Sequence, residues 1–142
     1  MLYTEKTKKA LKLCFEAHKN QTDKCGMPYV LHPFHLAEQM TTEDTTVVAL
    51  LHDVAEDTDY TLGEIAAMGF GDAVMQALAL LTHDEDTDYM TYVRAVGQNP
   101  IARAVKLADL RHNSDLTRLD TVDEKARARW EKYQEALALL EG

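Results

Sequence analysis

The chain has 142 residues, 46% of them hydrophobic and 27% charged, which is the composition of one globular domain spanning residues 1–142. Its formal charge of −9 at pH 7 argues against a nucleic-acid-binding protein, because such proteins need a basic surface, but it leaves small anionic nucleotides open. No apolar stretch approaches the roughly 18 residues that span a bilayer, so we expect a soluble protein without a membrane partner.

The first part of the chain is predicted to form three helices. Apolar side chains recur at helical spacing over residues 4–20, and residues 21–28 are typical of a loop. Pro33 is expected to be the first residue of the second helix, where its missing N–H costs nothing. Helix-start residues at 42–44 and the apolar run up to Ala55 predict a third helix that is mostly buried.

The second part of the chain is also predicted to be helical. Thr61 and Glu64 match a capping box for a short helix that extends to Met68. No alternating strand pattern is present, so we expect an all-α fold, a compact bundle of about seven or eight helices. The remaining predicted helices cover residues 72–81, residues 86–96, the segment that begins at Pro100 and residues 122–140.

A concentration of ionisable side chains ends the apolar run of the third helix. His52, Asp53, Glu56 and Asp57 lie within six positions, directly after the buried-type run. A buried imidazole and several carboxylates are costly unless something neutralises them, and a divalent cation is the simplest neutraliser. We therefore predict that the chemistry of this protein takes place here.

Two further positions complete a candidate metal-binding set. His32 stands at the start of the second helix, and Asp109 lies on the helix after Pro100. With His52 and Asp53 they offer two imidazoles and two carboxylates, a set that suits Mn²⁺, Fe²⁺ or Zn²⁺ rather than a closed thiolate zinc site. A divalent ion lowers the pKa of bound water and polarises a phosphoryl oxygen, so the favoured reaction class is hydrolysis.

Helical spacing places further polar groups near this set. Glu56 and Asp57 follow the His-Asp pair by four positions, so on a continuous helix they lie one turn away. We expect one of these acids to orient or deprotonate the attacking water. The other is expected to hold the reacting groups in position or to protonate a leaving oxygen. Asn113 follows Asp109 by four positions, which puts an amide beside the metal.

Three segments together resemble the HD-domain metal-dependent phosphohydrolases. They are residues 24–33 (KCGMPYVLHP), residues 49–58 (ALLHDVAEDT) and residues 105–113 (VKLADLRHN). The likeness runs from about residue 10 to residue 116. It is closest to the alarmone hydrolases, meaning the small single-domain enzymes and the hydrolase half of the bifunctional synthetase-hydrolases.

This resemblance implies an all-helical domain that binds Mn²⁺ and removes the 3′-pyrophosphate from guanosine tetraphosphate or pentaphosphate. Glu56 and Asp57 match the catalytic acids of the family, and Lys24 and Asn113 match its substrate-contacting positions. The implied metal ligands are His32, His52, Asp53 and Asp109.

Two departures from the family pattern bear on the substrate. The family usually has two adjacent basic residues before the Gly-x-Pro-Tyr run, whereas this chain has Asp23-Lys24. The chain between His32 and His52 is also shorter than is typical of the family, because residues 41–46 form a compact link. Hydrolysis of another nucleotide or phosphoester is therefore an open alternative. A regulatory module that binds nucleotide without turnover is a second alternative, although a pure binder has no need of Glu56 and Asp57.

Other histidines and aromatic residues receive structural interpretations. His35 and His83 are expected at the surface, His83 within a solvated acidic loop, whereas His18 and His112 are expected to pack in the core or beside a ligand. Residues after Leu116 show no functional signal. The C-terminal stripe is expected to be core or a contact in a homo-oligomer; it consists of Trp130, Tyr133 and Leu137.

The cysteines and the N-terminus bear on location. Cys14 and Cys25 lack metal-type spacing, and residues 4–12 are rich in lysine rather than apolar. We therefore expect a reducing, cytoplasmic location and a small-molecule nucleotide as the partner.

Overall fold

The computed structural model describes residues 1–142 and contains nine α-helices, one short 3₁₀ helix and no β-strand. One isolated bridge pairs Thr22 with Pro28. No helix combines the length and the hydropathy needed to cross a bilayer. The all-α prediction is confirmed. The helices are α1 Glu5–His18, α2 Leu31–Glu38, α3 Glu43–Leu51, α4 Val54–Asp57, α5 Leu62–Ala66, α6 Asp72–Leu81, α7 Tyr89–Val96, α8 Pro100–Asn113 and α9 Glu124–Glu141, with the 3₁₀ helix at Leu116–Arg118.

Polar caps begin several helices where the sequence predicts them. The hydroxyl of Thr61 accepts from the backbone N–H of Glu64 at 3.1 Å, and the Glu64 carboxylate accepts from the N–H of Thr61 at 3.2 Å. The Asn99 side chain accepts from two N–H groups of α8, directly before Pro100. Because each cap satisfies donors that the helix cannot, it contributes about 1 kcal/mol to stability.

The third predicted helix is interrupted, which corrects the expectation of a continuous helix up to Ala55. α3 ends at Leu51, and α4 begins again at Val54. Nδ1 of His52 lies 2.6 Å from the carbonyl oxygen of Ala49, which therefore accepts from the imidazole. This side-chain bond competes with the helical ladder. The one-turn relation survives, because the N–H of Asp57 still donates to the carbonyl of Asp53 at 2.9 Å.

Three other helix starts differ from the prediction by a few residues. Pro33 is the third residue of α2 rather than the first, which costs no hydrogen bond because N–H groups of the first turn have no helical partner. α7 begins at Tyr89, where the Asp88 side chain accepts from the N–H of Thr91. α9 begins after Asp123, which caps it in the same way.

α3 lies at the centre of the molecule. It packs against α1, α2, α6 and α8, and its residues 46–51 are fully buried. This confirms that the helix is mostly buried. Burying each large aliphatic side chain contributes about 1.5–3 kcal/mol. The packing therefore holds the end of α3 rigidly against α2 and α8, which carry the other candidate ligands.

Candidate active site

Three predicted metal ligands converge between α2, the end of α3 and α8. The ligand atoms of His32, His52 and Asp109 all lie within 4.8 Å of one another. Nε2 of His32 lies 2.9 Å from Oδ1 of Asp109, and Nε2 of His52 lies 3.6 Å from the same oxygen. The three residues are only 6%, 5% and 7% exposed. Residues far apart in the chain are thus brought together in a nearly closed space.

Asp53 lies at the edge of this group. Its Oδ2 is 3.0 Å from Nε2 of His52 and 3.9 Å from Nε2 of His32. The hydroxyl of Tyr29 donates to the same oxygen at 2.5 Å. Asp53 therefore approaches both imidazoles, while Tyr29, in the loop before α2, holds its carboxylate through a hydrogen bond.

The donor set fits a divalent cation. Nε2 of His52 is buried and has no hydrogen-bond partner, since the nearby Asp53 oxygen lies outside hydrogen-bond geometry. A buried polar atom is costly when it is left unpaired. Because the Ala49 carbonyl accepts from Nδ1–H of this ring, Nε2 is left facing Asp53 and Asp109, at 3.0 Å and 3.6 Å, where its lone pair would be available to a cation. A metal ion bound here would satisfy it.

Opposite charges compensate one another around the candidate ligands. Burial opposes ionisation of Asp109, but the charge of Lys106 and the hydrogen bond with His32 outweigh it, so the pKa of Asp109 falls well below its usual range. Nζ of Lys106 is 3.0 Å from Oδ2 of Asp109 and 5.3 Å from the centre of the Tyr92 ring. Burial would lower the pKa of His52, but the charges of Asp53 and Asp109 raise it well above its usual value.

The two predicted catalytic acids lie on α4, at the open side of the ligand group. Oε1 of Glu56 accepts from the backbone N–H of His83 at 3.3 Å, and Oδ2 of Asp57 accepts from the Tyr29 hydroxyl at 3.4 Å. Burial and the charge of Asp53 raise the pKa of both acids. Each acid retains one oxygen that no protein group contacts through a hydrogen bond.

His83 does not stand in a solvated loop, which corrects its sequence interpretation. Its ring is half-buried, 4.5 Å from the Tyr92 ring, and its Nε2 donates to the carbonyl of Thr87 at 2.7 Å. Its backbone N–H reaches Glu56. The loop after α6 is acidic at the surface, but this one residue is turned inward and holds a candidate catalytic group.

Imidazoles also surround the outer side of His32. Nδ1 of His32 is 2.7 Å from Nδ1 of His112, and the two ring planes are parallel to within 6°, with centroids 5.0 Å apart. Burial and the charge of Arg118 lower the pKa of His112 to about 4. The exposed ring of His35 stacks on His112, with centroids 4.1 Å apart. The prediction that His112 packs beside a ligand agrees with this geometry.

A cavity of about 330 Å³ opens beside His32. It includes both predicted substrate contacts, Lys24 and Asn113. The Asn113 amide also donates to Oδ1 of Asp109 at 3.1 Å, so it links the cavity to the ligand group. Glu56 and Asp57 do not line this cavity. Its remaining lining residues are Thr22, Asp23, Cys25, Tyr29, Asp115, Leu116, Arg118, Leu119, Ala126, Arg129 and Tyr133.

Several of these lining residues come from the C-terminal part, where the sequence showed no functional signal. Arg118, Arg129 and Tyr133 face the cavity, and Arg129 makes no ion pair or hydrogen bond with the protein. Of the stripe predicted to be core or an oligomer contact, Leu137 is buried in the core, Tyr133 packs against the core while also lining the cavity, and Trp130 is 36% exposed. The one-turn spacing of Arg129 and Tyr133 on an otherwise amphipathic helix is the signal that could have identified them.

Asp23 has a structural role in this cavity wall. Its Oδ1 accepts from the backbone N–H groups of Cys25 at 2.8 Å and Met27 at 3.0 Å. The carboxylate is thus committed to the turn that carries Lys24. The cationic side chains of the cavity are Lys24, Arg118 and Arg129.

Comparison with known proteins identifies relatives along most of the chain, although no family model matches. The guanosine-3′,5′-bis(diphosphate) 3′-pyrophosphohydrolase MESH1 of Mus musculus is 38% identical over 120 residues, covering 73% of this chain and 66% of that protein. MESH1 of Homo sapiens is 37% identical over 115 residues, covering 71% and 64%. A guanosine-3′,5′-bis(diphosphate) 3′-pyrophosphohydrolase of Aquifex aeolicus is 31% identical over 119 residues, covering 75% of this chain but 17% of that protein.

The fold has a counterpart among solved structures. A structure described as a metazoan orthologue of SpoT that hydrolyses ppGpp superposes with a TM-score of 0.77, covering 100% of this chain and 89% of that chain at 24% identity. The chain spans about two thirds of the length of the MESH1 proteins and less than a fifth of the Aquifex relative. By its sequence relatives and its helical architecture, the chain belongs to the HD-domain phosphohydrolases, in the group that includes the ppGpp hydrolases.

Proposed function

We propose that this protein is a Mn²⁺-dependent guanosine-3′,5′-bis(diphosphate) 3′-pyrophosphohydrolase. The observation that carries the proposal is the buried convergence of His32, His52 and Asp109, with Nε2 of His52 left unpartnered. Three of the relatives, from Aquifex aeolicus, Mus musculus and Homo sapiens, carry the name of this activity. Residues 1–142 act as one catalytic domain, since their buried side chains form one continuous core.

Four side chains would hold the cation. When bound, a divalent cation lowers the pKa of water and polarises a phosphoryl oxygen. Nitrogen and oxygen donors in this mixture suit Mn²⁺, and they also accept Fe²⁺ or Zn²⁺. Lys106 and Tyr29 hold the two carboxylates in place through their contacts of 3.0 Å and 2.5 Å. The proposed ligands are His32, His52, Asp53 and Asp109.

Glu56 and Asp57 would manage the protons of hydrolysis. Each has one free carboxylate oxygen, Oε2 of Glu56 and Oδ1 of Asp57, because the other oxygen accepts from His83 or Tyr29. Their raised pKa values bring both acids nearer to neutral pH, where a group can both take and return a proton. One acid removes the proton of the attacking water, and the other protonates the leaving oxygen.

The cavity beside His32 would bind the rest of the nucleotide. A volume of about 330 Å³ lies within the range of small-molecule sites. Lys24 and the unpaired Arg129 supply positive charge for phosphates in a chain whose overall charge is negative. The Asn113 amide lies between the cavity and Asp109, where it can contact the substrate near the scissile group.

Two alternatives keep the fold but change the activity. Asp23 in place of a basic residue favours a different nucleotide or phosphoester as substrate, although its carboxylate is committed to the loop. A module that binds nucleotide without turnover is the second alternative.

A cytoplasmic location is part of the proposal. Both cysteines are unpaired, and a reducing compartment keeps cysteines in that state. Self-association stays a prediction.

The test is an assay of purified protein with guanosine-3′,5′-bis(diphosphate), with and without Mn²⁺. We expect Mn²⁺-dependent release of pyrophosphate, which His52→Ala and Asp53→Ala abolish. A panel of other nucleotides under the same conditions decides the substrate, and faster turnover of another member would favour the first alternative. Saturable binding of guanosine-3′,5′-bis(diphosphate) with no product would establish the second.

A further inference from the structure

His32 and His52 each form a hydrogen bond through Nδ1, the ring nitrogen that faces away from the candidate metal site, but their partners differ. A histidine that binds a metal through one nitrogen normally donates its other N–H to a fixed acceptor, which sets the ring's tautomer and orientation. For His52 that acceptor is the backbone carbonyl of Ala49, at 2.6 Å. For His32 the corresponding partner is a side chain, Nδ1 of His112 at 2.7 Å.

The proton between His32 and His112 has one arrangement compatible with a ligand role for His32. Nε2 of His32 must present a lone pair to a cation, so its proton resides on Nδ1. Nδ1 of His112 must then be the acceptor, with the His112 proton on Nε2. The ring planes are parallel to within 6°, and the 5.0 Å between the ring centroids is the separation that an end-to-end Nδ1–Nδ1 contact of 2.7 Å gives, so the acceptor lone pair lies near the plane of the donor N–H.

The architecture keeps His112 in this position from two sides. His112 lies on α8, three residues after Asp109, so the same helical turn supplies a candidate ligand and the group that orients another. From α2, the exposed ring of His35 covers His112, with centroids 4.1 Å apart. The backbone carbonyl of His112 also accepts from the Arg118 guanidinium at 2.8 Å.

We infer that His112 is a positioning residue, whose Nδ1 accepts the Nδ1–H of His32 and thereby directs Nε2 of His32 into the metal site. This inference rests on the proposed metal role of His32. His112 itself lies outside the ligand group and contacts no other candidate ligand through a side-chain hydrogen bond. It contributes to metal affinity through His32 alone.

Two variants separate the acceptor atom from the ring. His112→Phe retains the ring that stacks on His35 but removes the acceptor, whereas His112→Asn removes the ring but places a carboxamide oxygen near the position of Nδ1. We expect His112→Phe to weaken Mn²⁺ binding, measured by calorimetric titration without substrate, by about 10- to 100-fold, and His112→Asn to restore most of that loss. His35→Phe, a matched His-to-Phe control at the surface, should bind like the wild type.

Outcomes of this titration distinguish the inference from the proposed function. If the wild-type protein binds no Mn²⁺, the proposed function fails. If the wild type binds Mn²⁺ and a folded His112→Phe protein binds equally well, only the inference fails. Equal losses in His112→Phe and His35→Phe would also overturn it, because the effect would then belong to the surface imidazoles as a group.

A measurement on the wild-type protein covers the case in which a variant does not fold. In ¹⁵N-labelled protein loaded with diamagnetic Zn²⁺, we expect a nitrogen–nitrogen coupling across the hydrogen bond between Nδ1 of His32 and Nδ1 of His112. The His112 Nδ1 signal should be that of an unprotonated nitrogen. A proton on Nδ1 of His112, or the absence of the coupling, would contradict the inference.

Discussion

The hydroxyl of Tyr29 donates a 2.5 Å hydrogen bond to Oδ2 of Asp53, a carboxylate that also lies 3.0 Å from Nε2 of His52. This contact joins the loop before α2 to the turn between α3 and α4. A mostly buried carboxylate needs such a donor, because an unsatisfied one costs the full desolvation free energy of the group.

Tyr29→Phe should therefore destabilise the metal-free protein. We expect a loss of about 1–3 kcal/mol in the free energy of unfolding, measured with urea, because Asp53 loses its hydroxyl donor. Tyr60→Phe is the matched control, since the Tyr60 hydroxyl makes no hydrogen bond and its ring is also half-buried. Equal stability of the two variants would contradict the role given to Tyr29.

Lys106→Met should destabilise the protein more strongly. It leaves the buried carboxylate of Asp109 without its cation at 3.0 Å, and breaking a buried pair from one side costs about 3–5 kcal/mol. Combining it with Asp109→Asn should recover much of the loss, because no charge is then left unpaired. Urea unfolding of the single and double variants measures the coupling, with exposed Lys125→Met as the control.

Substitution of the α4 acids should separate activity from stability. Glu56→Gln should lower kcat by about 10²- to 10⁴-fold, as expected for loss of general acid–base catalysis. The folded pKa of Glu56 is raised, so its ionised form disfavours the folded state, and this cost disappears as pH falls through the folded pKa. Glu56→Gln should therefore raise the melting temperature of the metal-free protein above pH 7 and not at pH 4.

Two results would contradict the prediction for Glu56→Gln: full turnover, or a melting temperature below that of the wild type at pH 8. Asp57→Asn should behave in the same direction, because burial and the charge of Asp53 raise the pKa of Asp57 as well. The glutamine oxygen can still accept from the N–H of His83, so the loop contact is retained.

The two cysteines should differ in reactivity. Burial and the charge of Asp53 raise the pKa of Cys14 to about 12, so its thiolate is scarce at pH 8. Cys25 is only half-buried and lines the cavity. A thiol reagent at pH 8 should modify one thiol per native chain and two in urea. Cys25→Ser should abolish the native reaction, and two rapidly reacting thiols in the native wild type would contradict the structure.

Asp23 offers a test of how the cavity wall is held. Asp23→Asn keeps an oxygen that can accept from Cys25 and Met27 while removing a negative charge, so it should lower KM for the nucleotide. Asp23→Ala removes the acceptor, loosens the turn that carries Lys24 and should raise KM. Steady-state kinetics of both variants decides the point: a lower KM in both would show that only the charge matters.

Local signals in the sequence predicted much of the fold. The apolar period over 72–81 matches α6 residue for residue, and the Thr61 capping box and the helix start at Pro100 are confirmed. The break at His52 could not be predicted from periodicity, because it arises where an imidazole bonds to the carbonyl of Ala49.

The candidate site was predictable to the extent that its residues belong to local motifs. His32, His52, Asp53 and Asp109 lie in the three segments that carry the family resemblance. The α9 wall of the cavity was not predictable, because Arg129 and Tyr133 meet the loop around Lys24 only through tertiary packing. No short-range pattern encodes a contact across about a hundred residues.

In the proposed metal site, four side chains from α2, α8 and the turn after α3 share one cation. Anomalous X-ray diffraction from crystals soaked in Mn²⁺ tests this most directly. We expect one strong peak within coordination distance of Nε2 of His32, Nε2 of His52 and the carboxylates of Asp53 and Asp109. A peak bound to other residues, or none between these four in crystals that are demonstrably soaked with Mn²⁺, would contradict it.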